Sequence, residues 1–463
     1  MTPNPSDTDP PPPAPPVPTW WDRARRFVTS KLTWNRVYRV TSYLKSALWT
    51  VPFVAIVLVL ASGPVIRQLD AWLGWRVAGL AVAGAQALYQ TVITLTLSFL
   101  VFTFGSLLVA IQVAGGQLTP RIIATLLLRD NVVRYSVGLF VFTLVFAVGA
   151  LNRLEQSVLE MVALLTGFLG IACIADFLFL IDYAARLLRP VSVVASVGDE
   201  GLEVIKLVYP SPAAGVVATA GALRGQLKAP ARMVEHRGRS EIVLAIDLKT
   251  LVATAAWHDG VIEFVPQVGD FVATDEPLFL LYGGAAAIDD ATLRTTVAFG
   301  RERTLEQDPM FAFRILVDIA LKALSPAIND PTTAVLALDQ VHRLLRLLGK
   351  RQLHGELVSD AAGRPRVIFR TPNWEDYVHV SCNEIRACGA NNTQVARRLR
   401  AMLENLVASL PPHRHPALRQ ELDLLDRTIE RLYILPEDLA LARVPDAQGL
   451  GGSLAPRATG QSE

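Results

Sequence analysis

The longest apolar pattern of the chain runs from Gln86 to Pro120, a stretch that contains no charged residue. A helix of this length reaches about 50 Å, which exceeds the roughly 30 Å hydrocarbon core of a bilayer. Three further apolar runs are also long enough to cross. Hydropathy therefore predicts a membrane domain of four transmembrane helices, with spans near residues 46–66, 86–114, 135–151 and 158–180.

Polar residues recur along one side of the second run. Thr91, Ser98 and Gln112 are separated by seven residues or a multiple of seven, and Gly105 fills the missing position. This spacing keeps them on one helical face, which we call the polar stripe. Two interpretations stay open. Small and hydroxyl residues allow helices to pack closely, and a polar face can also line a path through the membrane.

Basic residues predict the orientation of the spans. The amino-terminal segment, the loop from Pro120 to Arg134 and the exit from the fourth span hold 12 Lys and Arg residues, whereas the other two loops hold 3. Because the richer side is normally the inner one, both termini are predicted to be cytoplasmic. The basic segment before the first span, which includes Trp20 and Trp21, also suits an anionic membrane surface.

Asp176 is an ionisable residue near the inner end of the fourth span. Such residues raise a functional hypothesis by default, so Asp176 joins Thr91, Ser98 and Gln112 as a candidate for a polar path. The alternative is a structural carboxylate that reaches the interface or pairs with Arg186 or Arg189.

The composition changes at Pro190, after which no run can span a bilayer. We predict a mixed α/β cytoplasmic domain, in which Leu202–Tyr209 and Ile242–Ile246 form strands and Asp247 caps a short helix. The complete division is a disordered Pro-rich tail (1–22), the membrane domain (23–189), a small β-rich module (190–284), a helical domain (285–440) and a disordered tail (441–463).

Charge and cysteine content narrow the possible partners. The formal net charge is only +2 over 463 residues, and no nucleic-acid-binding motif occurs. Three cysteines, one of them in a predicted span, do not indicate a disulfide framework. The expected partners are the lipid bilayer and further copies of the chain, with the small-molecule or ion ligand unknown.

The sequence offers little catalytic or metal chemistry. His379, Cys382 and Cys388 match no standard zinc spacing, and His413 and His415 stand in a loop without an acidic or thiol partner. No phosphate-binding loop, nucleophile elbow or His-Glu-x-x-His helix occurs. We therefore predict no metal, no cofactor and no enzymatic activity.

A helical hairpin is predicted between residues 308 and 339. Asp308-Pro309 and Asp330-Pro331 each place a capping residue before a first-turn proline, and Ser325-Pro326 ends the helix between them. Arg314, Asp318 and Lys322 form an i,i+4 series. Glu302 and Glu306 precede the hairpin and, with Asp308 and Asp330, make a carboxylate-rich segment. Two of these four carboxylates are explained as caps, so a structural or ligand-responsive hairpin is favoured over a catalytic one.

Two blocks carry a resemblance to a known family. They are LVAIQVAGGQLTPRIIATLLLRD (Leu108–Asp130) and GRERTLEQDPMFAFRILVDIALKALSPAINDPTTA (Gly300–Ala334). The chain resembles the bacterial predicted membrane proteins grouped as domain of unknown function 2254. The resemblance implies four amino-terminal spans and a cytoplasmic domain, but no known activity. The residues that carry the signature in the second block are Arg301, Glu302, Arg303, Gln307, Asp308, Pro309, Asp318, Ser325, Pro326, Asn329, Asp330 and Pro331.

Three function classes follow. The first is an oligomeric channel-like or transporter-like conduit regulated by the cytoplasmic domain, since four helices alone enclose no wide path. The second is a non-transporting sensor or scaffold in the bacterial inner membrane. The third, a membrane-anchored enzyme, has no motif in its favour.

Overall fold

The computed structural model describes residues 33–73, 81–117, 130–154, 160–187, 189–212, 223–225, 227, 229–353 and 357–452. The Pro-rich tail predicted over 1–22, residues 453–463 of the predicted carboxy-terminal tail and much of the first resemblance block lie outside these ranges. The helices are α1 Trp34–Ser46, α2 Thr50–Leu73, α3 Val82–Gln117, α4 Asn131–Leu151, α5 Glu160–Leu187, α6 Pro190–Val208, α7 Leu248–Trp257, α8 Asp290–Arg294, α9 Pro309–Ala323, α10 Pro331–Leu348, α11 Trp374–Gly389, α12 Thr393–Ser409, α13 His415–Leu432 and α14 Pro436–Ala442. The strands are β1 Arg232–Glu235, β2 Glu241–Ile246, β3 Gly260–Phe264, β4 Phe271–Val272, β5 Pro277–Gly283, β6 Val297–Gly300, β7 Leu357–Ser359 and β8 Pro365–Phe369.

Within the described residues, three helices are long and apolar enough to cross a membrane: α3, α4 and α5, over Val82–Gln112, Asn131–Leu151 and Glu160–Arg186. The first predicted span lies on α2, where the described apolar stretch is Thr50–Ser62. The second, third and fourth predicted spans thus coincide with helices that could cross a membrane, and the first, 46–66, stays a prediction.

Close approach between the membrane helices depends on small residues. A Cβ placed on Gly138 of α4 would lie 2.6 Å from Val51 Cγ1 of α2, and one on Gly170 of α5 would lie 2.9 Å from Val92 Cγ2 of α3. Neither contact is sterically allowed, so glycine is required for these backbone separations.

The helices after residue 189 share one hydrophobic core, to which α6, α9, α10, α11, α12 and α13 contribute. The strand predicted at Leu202–Tyr209 is wrong, because this segment is the last part of α6 and the first residue after it. Pro190 occupies the first turn of α6, and Val197, Gly201 and Val204 recur at helical spacing on its buried face. A Cβ on Gly201 would lie 3.0 Å from Cβ of Ala312, so α6 packs closely on α9. Tertiary packing thus overrides the strand preference of a β-branched run.

Two sheets form the β-rich part. The larger has the order β1-β5-β3-β8-β7, in which only the β3–β8 pair is parallel, and the smaller has the order β4-β2-β6. Strands β6, β7 and β8 come from the segment predicted to be helical, so the β-rich part is not confined to 190–284. These strands have three to five residues, too few to show a periodic pattern. The predicted cap at Asp247 is confirmed, since its side chain accepts a hydrogen bond from Thr250 N.

The chain between Arg443 and Gly452 does not behave as the tail predicted from residue 441. Asp446 is only 1% exposed, and its carboxylate accepts hydrogen bonds from the backbone N–H groups of Gln448 and Gly451. The buried Arg397 of α12 donates to the carbonyls of Val444 and Gly451. Hydrogen bonds between polar groups, which composition does not reveal, therefore hold this segment on the helical domain.

Candidate functional site: a cavity between the sheets and the helical domain

The first half of the signature, residues 301–309, lies at the junction between the β-rich part and the helical part. Asp308 caps α9 by accepting a hydrogen bond from Phe311 N at 3.1 Å, and Asp330 caps α10 by accepting one from Thr333 N at 3.1 Å. Both predicted caps are thus confirmed. The loop that precedes α9, residues 301–308, also faces the β-rich part, and we call it the signature loop. This end of the hairpin therefore contacts the β-rich part in addition to capping a helix.

A cavity of about 400 Å³ opens at this junction. Its wall is mostly apolar, which is typical of small-molecule sites with a few fixed polar groups. The residues that line it are Leu207, Val208, Tyr209, Pro210, Ile246, Leu248, Val268, Gln307, Asp308, Pro309, Phe369, Arg370, Thr371, Pro372 and Tyr377. They come from the end of α6, the β2–α7 junction, the β3–β4 turn, the signature loop, the β8–α11 loop and α11.

The Asp308 carboxylate is the most perturbed acid of this cavity. Oδ2 makes no hydrogen bond among the described residues, and its nearest cation is Arg303, with Nη1 at 3.9 Å. Burial raises the pKa of Asp308 to about 6, an effect that Arg303 opposes and Asp270 assists. A carboxyl group with this pKa changes charge close to physiological pH.

The β3–β4 turn, which contains the Gly-Asp pair Gly269-Asp270, packs against this carboxylate. Gly269 has φ +93°, and a Cβ there would lie 2.6 Å from Asp308 Oδ2. Arg303 donates a hydrogen bond to the carbonyl of Gly269. Glycine is needed at this position both for the left-handed backbone and for the close approach. The Gly-Asp turn and the signature loop, 34 residues apart at Gly269 and Arg303, therefore form one contact.

Two tyrosines form the opposite part of the wall. The hydroxyl groups of Tyr209 and Tyr377 lie 3.1 Å apart, and both side chains are buried. Burial raises the pKa of Tyr209 to about 12 and that of Tyr377 in the same direction, and the Asp308 charge adds to both shifts. Both tyrosines are therefore neutral and keep O–H donors at any physiological pH.

The signature loop also touches two other elements. Gln307 Oε1 accepts a hydrogen bond from Ile246 N at 3.1 Å, which ties the loop to β2. Glu306 Oε1 accepts one from Ser42 Oγ of α1 at 3.0 Å. The loop thus links the small sheet, the helical domain and the helix that precedes the membrane.

The second half of the signature builds the hairpin turn and lies away from the cavity. Ser325 O accepts a hydrogen bond from Asn329 N at 2.8 Å, and Asn329 has φ +49°, a left-handed conformation that Asn tolerates. Pro326 stands in this turn, and Pro331 occupies the first turn of α10. Arg314 pairs with Asp318 as predicted and, in addition, with both carboxylate oxygens of Glu384.

The carboxylates of the signature do not assemble into one site. The 15 residues of α9, about 22 Å of helix, separate Asp308 from Asp330. Arg301 and Glu302 are exposed. Acid–base catalysis by a carboxylate pair requires two carboxylates in one site, and Asp308 and Asp330 do not share one.

The polar stripe of α3 faces outward from the helix bundle. Thr91, Ser98, Gly105 and Gln112 are all exposed, and the hydroxyl groups of Thr91 and Ser98 donate to carbonyls of their own helix at 2.8 Å. Within one chain, the stripe therefore neither packs helices together nor encloses a path. Among the described residues, no side chain covers it.

Asp176 lies on α5, whereas the polar stripe lies on α3. Its Oδ1 accepts a hydrogen bond from Ser136 Oγ of α4 at 3.1 Å, so its partner is a hydroxyl group rather than the expected Arg186 or Arg189. Arg186 pairs instead with Asp182, which lies four residues earlier in α5. The four candidate residues for a polar path are thus not brought together within one chain.

The cysteines and histidines that were considered as metal ligands form no metal cluster within the described ranges. Cys382 is fully buried in the helical core, where burial raises the pKa of its thiol, whereas Cys388 is exposed. Sequence reasoning missed Tyr209 and Tyr377 of the cavity wall and Gly269, which approaches Asp308. The Gly269-Asp270 pair is a local turn signal that indicates a hairpin but not the element on which the hairpin docks.

Comparison with known proteins identifies the family of the chain. The model of a family of predicted membrane proteins, domain of unknown function 2254, matches residues 45–405, and the chain belongs to this family. An uncharacterised protein of Mycobacterium bovis and one of Mycobacterium tuberculosis are each 26% identical over 453 residues, which cover 93% of this chain and 86% of theirs. No solved structure matches the chain.

Proposed function

We propose that this member of the family is a non-enzymatic sensor in the bacterial inner membrane, whose cytoplasmic cavity binds a small molecule. In this proposal the chain crosses the bilayer four times, keeps both termini in the cytoplasm and works as a homo-oligomer. The asymmetry of 12 basic residues against 3 supports the orientation. Reporter fusions at Arg153 should indicate the periplasm, and fusions at Arg189 and Ser453 the cytoplasm.

The observation that carries the proposal is the course of α6. This helix begins at Pro190, just after α5 ends at Leu187, and ends at Val208 in the wall of the cavity. Its 19 residues reach about 28 Å and pack along α9 and α10. A ligand that contacts Tyr209 can therefore shift a helix that begins directly after the last apolar helix, α5.

The wall chemistry indicates a mainly apolar ligand with a polar group. Asp308 offers an acceptor oxygen that has no hydrogen bond in the described chain, and the hydroxyl groups of Tyr209 and Tyr377 add polar atoms to the wall. A cavity of about 400 Å³ suits a small metabolite rather than a peptide. The absence of an assembled carboxylate pair among the described residues favours binding over catalysis.

Fragment screening tests this proposal with the full chain in nanodiscs. Val268→Trp fills the cavity from the β3–β4 turn, whereas Met233→Trp adds the same side chain at an exposed position on β1. Ligand-observed NMR should find fragments that bind the wild type and Met233→Trp but not Val268→Trp. Those fragments should also slow amide exchange in α6. Fragments that bind all three proteins equally, or that leave α6 exchange unchanged, would count against a sensor.

A second candidate, the oligomeric conduit, is favoured by the outward exposure of the polar stripe. Several copies that place Thr91, Ser98, Gly105 and Gln112 around a common axis would surround a polar path. Cysteine scanning from Gln90 to Ala114 in a Cys388→Ser background, with a water-soluble thiol reagent, tests it. The conduit predicts labelling at the stripe and protection at Leu95 and Phe102. Protection along the whole helix would remove this candidate.

A further inference from the structure

Helix α1 uses one face to hold the small sheet. The rings of Trp34 and Tyr38 stack with centroids 5.3 Å apart and pack against the cluster of Leu244, Ala245 and Ala298 on β2 and β6. Asn35 N donates to Thr295 O at 3.3 Å, just before β6. This face alone would make α1 an ordinary amphipathic helix on the surface of the cytoplasmic domain.

A second face of α1, about 100° around the helix from Trp34 and Tyr38, is also apolar, and it is exposed. Val37, Val40 and Leu44 stand three and four residues apart, so they share one side of the helix. Their exposed fractions are 42%, 56% and 41%, which makes this the open side of α1. A helix against a water-exposed domain normally turns charged residues to this side. The exposed Val37–Val40–Leu44 face therefore calls for a covering surface.

The position of α1 identifies that surface. Arg134, at the start of α4, donates to Leu44 O at 3.2 Å and to Thr50 Oγ1 at 2.6 Å. These bonds fix the end of α1 at the level where α2 and α4 begin. Trp49, in the three-residue connection between α1 and α2, is half exposed, as is common at a membrane–water interface. The face is thus continuous with the membrane helices.

Cationic side chains flank the exposed apolar face of α1. Arg36 and Arg39 are exposed beside the apolar face. The preceding segment adds Arg23, Arg25, Arg26 and Lys31 in the sequence. Apolar residues flanked by cations are typical of helices that lie in the headgroup region of anionic membranes.

We propose that α1 lies on the inner surface of the bilayer, with Val37, Val40 and Leu44 among the lipid chains and Arg36 and Arg39 against anionic headgroups. The helix then joins the membrane surface to the small sheet. Through Ser42 and Glu306 it also joins that surface to the loop that borders the cavity. The inference concerns an interaction surface and does not depend on the ligand-sensing proposal.

Site-specific fluorescence tests the inference with the full chain in nanodiscs. In a Cys388→Ser background, Val40→Cys and Thr41→Cys carry an environment-sensitive dye, because Thr41 is also exposed but points to the flank of α1. The dye at position 40 should emit at shorter wavelength and be quenched several-fold more by brominated lipid than the dye at position 41. Adding phosphatidylglycerol to phosphatidylcholine should increase the difference, and Arg36→Glu with Arg39→Glu should cancel that increase.

Three results would overturn the inference. They are equal quenching at the two positions, a signal at position 40 that is indifferent to anionic lipid, and protection of position 40 that follows protein concentration rather than lipid composition. The last of these would assign the face to a second copy of the chain. Amide exchange of α1 in unsubstituted protein, compared between the two lipid compositions, gives the same decision without any cysteine variant.

Discussion

Helix α3, which is long enough to cross a membrane, and helix α9 of the helical core both carry polar residues at helical spacing, but they differ in which face they bury. In α9, Phe311, Ile315 and Ile319 are buried, while Arg314 and Asp318 are only partly buried. In α3, the polar stripe is open and the opposite face is buried. That buried face consists of Ala85, Tyr89, Val92, Thr96, Leu100, Thr103 and Ala110.

The surrounding solvent explains this difference. Water drives the apolar face of α9 inward, so its hydrophobic pattern predicts its orientation. Lipid is as apolar as leucine, so hydropathy does not select which face of α3 meets other helices. Shape decides instead: Thr96 and Thr103 are buried although they are polar, and Phe102 is exposed although it is large and apolar. The comparison predicts different responses to the same substitution in the two helices.

Truncation of a leucine should have the largest effect, and only in α9. Leu316 of α9 is fully buried, so Leu316→Ala should lower the free energy of unfolding by about 2–5 kcal/mol. Leu97 of α3 is 52% exposed, and lipid can occupy the space left by Leu97→Ala, so its cost should stay within about 0.5 kcal/mol. Thermal unfolding in nanodiscs measures both. Similar losses for the two variants would contradict the comparison.

The next largest effect concerns the pH dependence of Asp308. Its pKa is raised to about 6 in the folded chain, compared with about 3.9 for an unfolded aspartate. The protonated form is therefore favoured by folding. Its stabilisation is complete below pH about 4 and is lost as the pH rises through about 6, for a total on the order of 2–3 kcal/mol.

Two variants at this position separate charge from capping. Asp308→Asn keeps a side-chain acceptor for Phe311 N, so the difference in unfolding free energy between wild type and variant should change with pH in that window. Asp308→Ala also loses the cap, which should lower the free energy of unfolding by a further amount of about 0.5–2 kcal/mol at every pH. Denaturation at a series of pH values measures both terms. A wild-type curve parallel to that of Asp308→Asn would show that Asp308 does not titrate in this range.

The hairpin shows how far the sequence could predict the candidate site. Asp308 and Asp330 were predicted as caps because capping is local, and three or four residues contain all the information. The approach of Gly269 to Asp308 was not predicted, because it brings together two turns that are distant in sequence. A perturbed carboxylate pKa arises from such burial, so a local pattern identified the residue but not its unusual property.

The same distinction applies to the fold. Hydropathy located α3, α4 and α5, since a long apolar run is itself the signal. It misassigned Leu202–Tyr209, where β-branched residues suggested a strand and packing against α9 and α10 required a helix. It also missed β8, a strand of five residues whose place beside β3 depends on a parallel pairing over about a hundred residues of sequence.

A smaller effect should follow from enlarging glycines in the membrane helices. A Cβ at Gly138 meets Val51, so Gly138→Leu must push α4 away from α2 and should cost about 1–3 kcal/mol. A Cβ at Gly105, on the polar stripe, meets nothing within 4 Å. Gly105→Leu is therefore the matched control and should leave monomer stability unchanged. Thermal unfolding at high dilution in lipid separates the two. If Gly105→Leu were as costly, another copy of the chain would already cover the stripe.

The smallest effect is expected at the stripe itself, where Ser98→Leu and Gln112→Leu should leave the stability of one chain within about 0.5 kcal/mol of wild type. Both residues are exposed, and the Ser98 hydroxyl already donates to Thr94 O within α3. The informative quantity is therefore self-association, measured by energy transfer between labelled copies as the protein is diluted in lipid.

Two outcomes of this dilution experiment have opposite meanings. If the stripe packs against a second copy, Gln112→Leu should weaken association about threefold, because a hydrogen bond between membrane helices contributes about 0.6 kcal/mol on average. Ser98→Leu should weaken it more, since a bulky side chain separates the backbones. If lipid covers the stripe, neither variant should change association, because both make a lipid-facing surface more apolar. The second result would mean that α3 turns hydroxyl groups toward lipid and satisfies them on its own carbonyls, as Thr91 and Ser98 do within one chain.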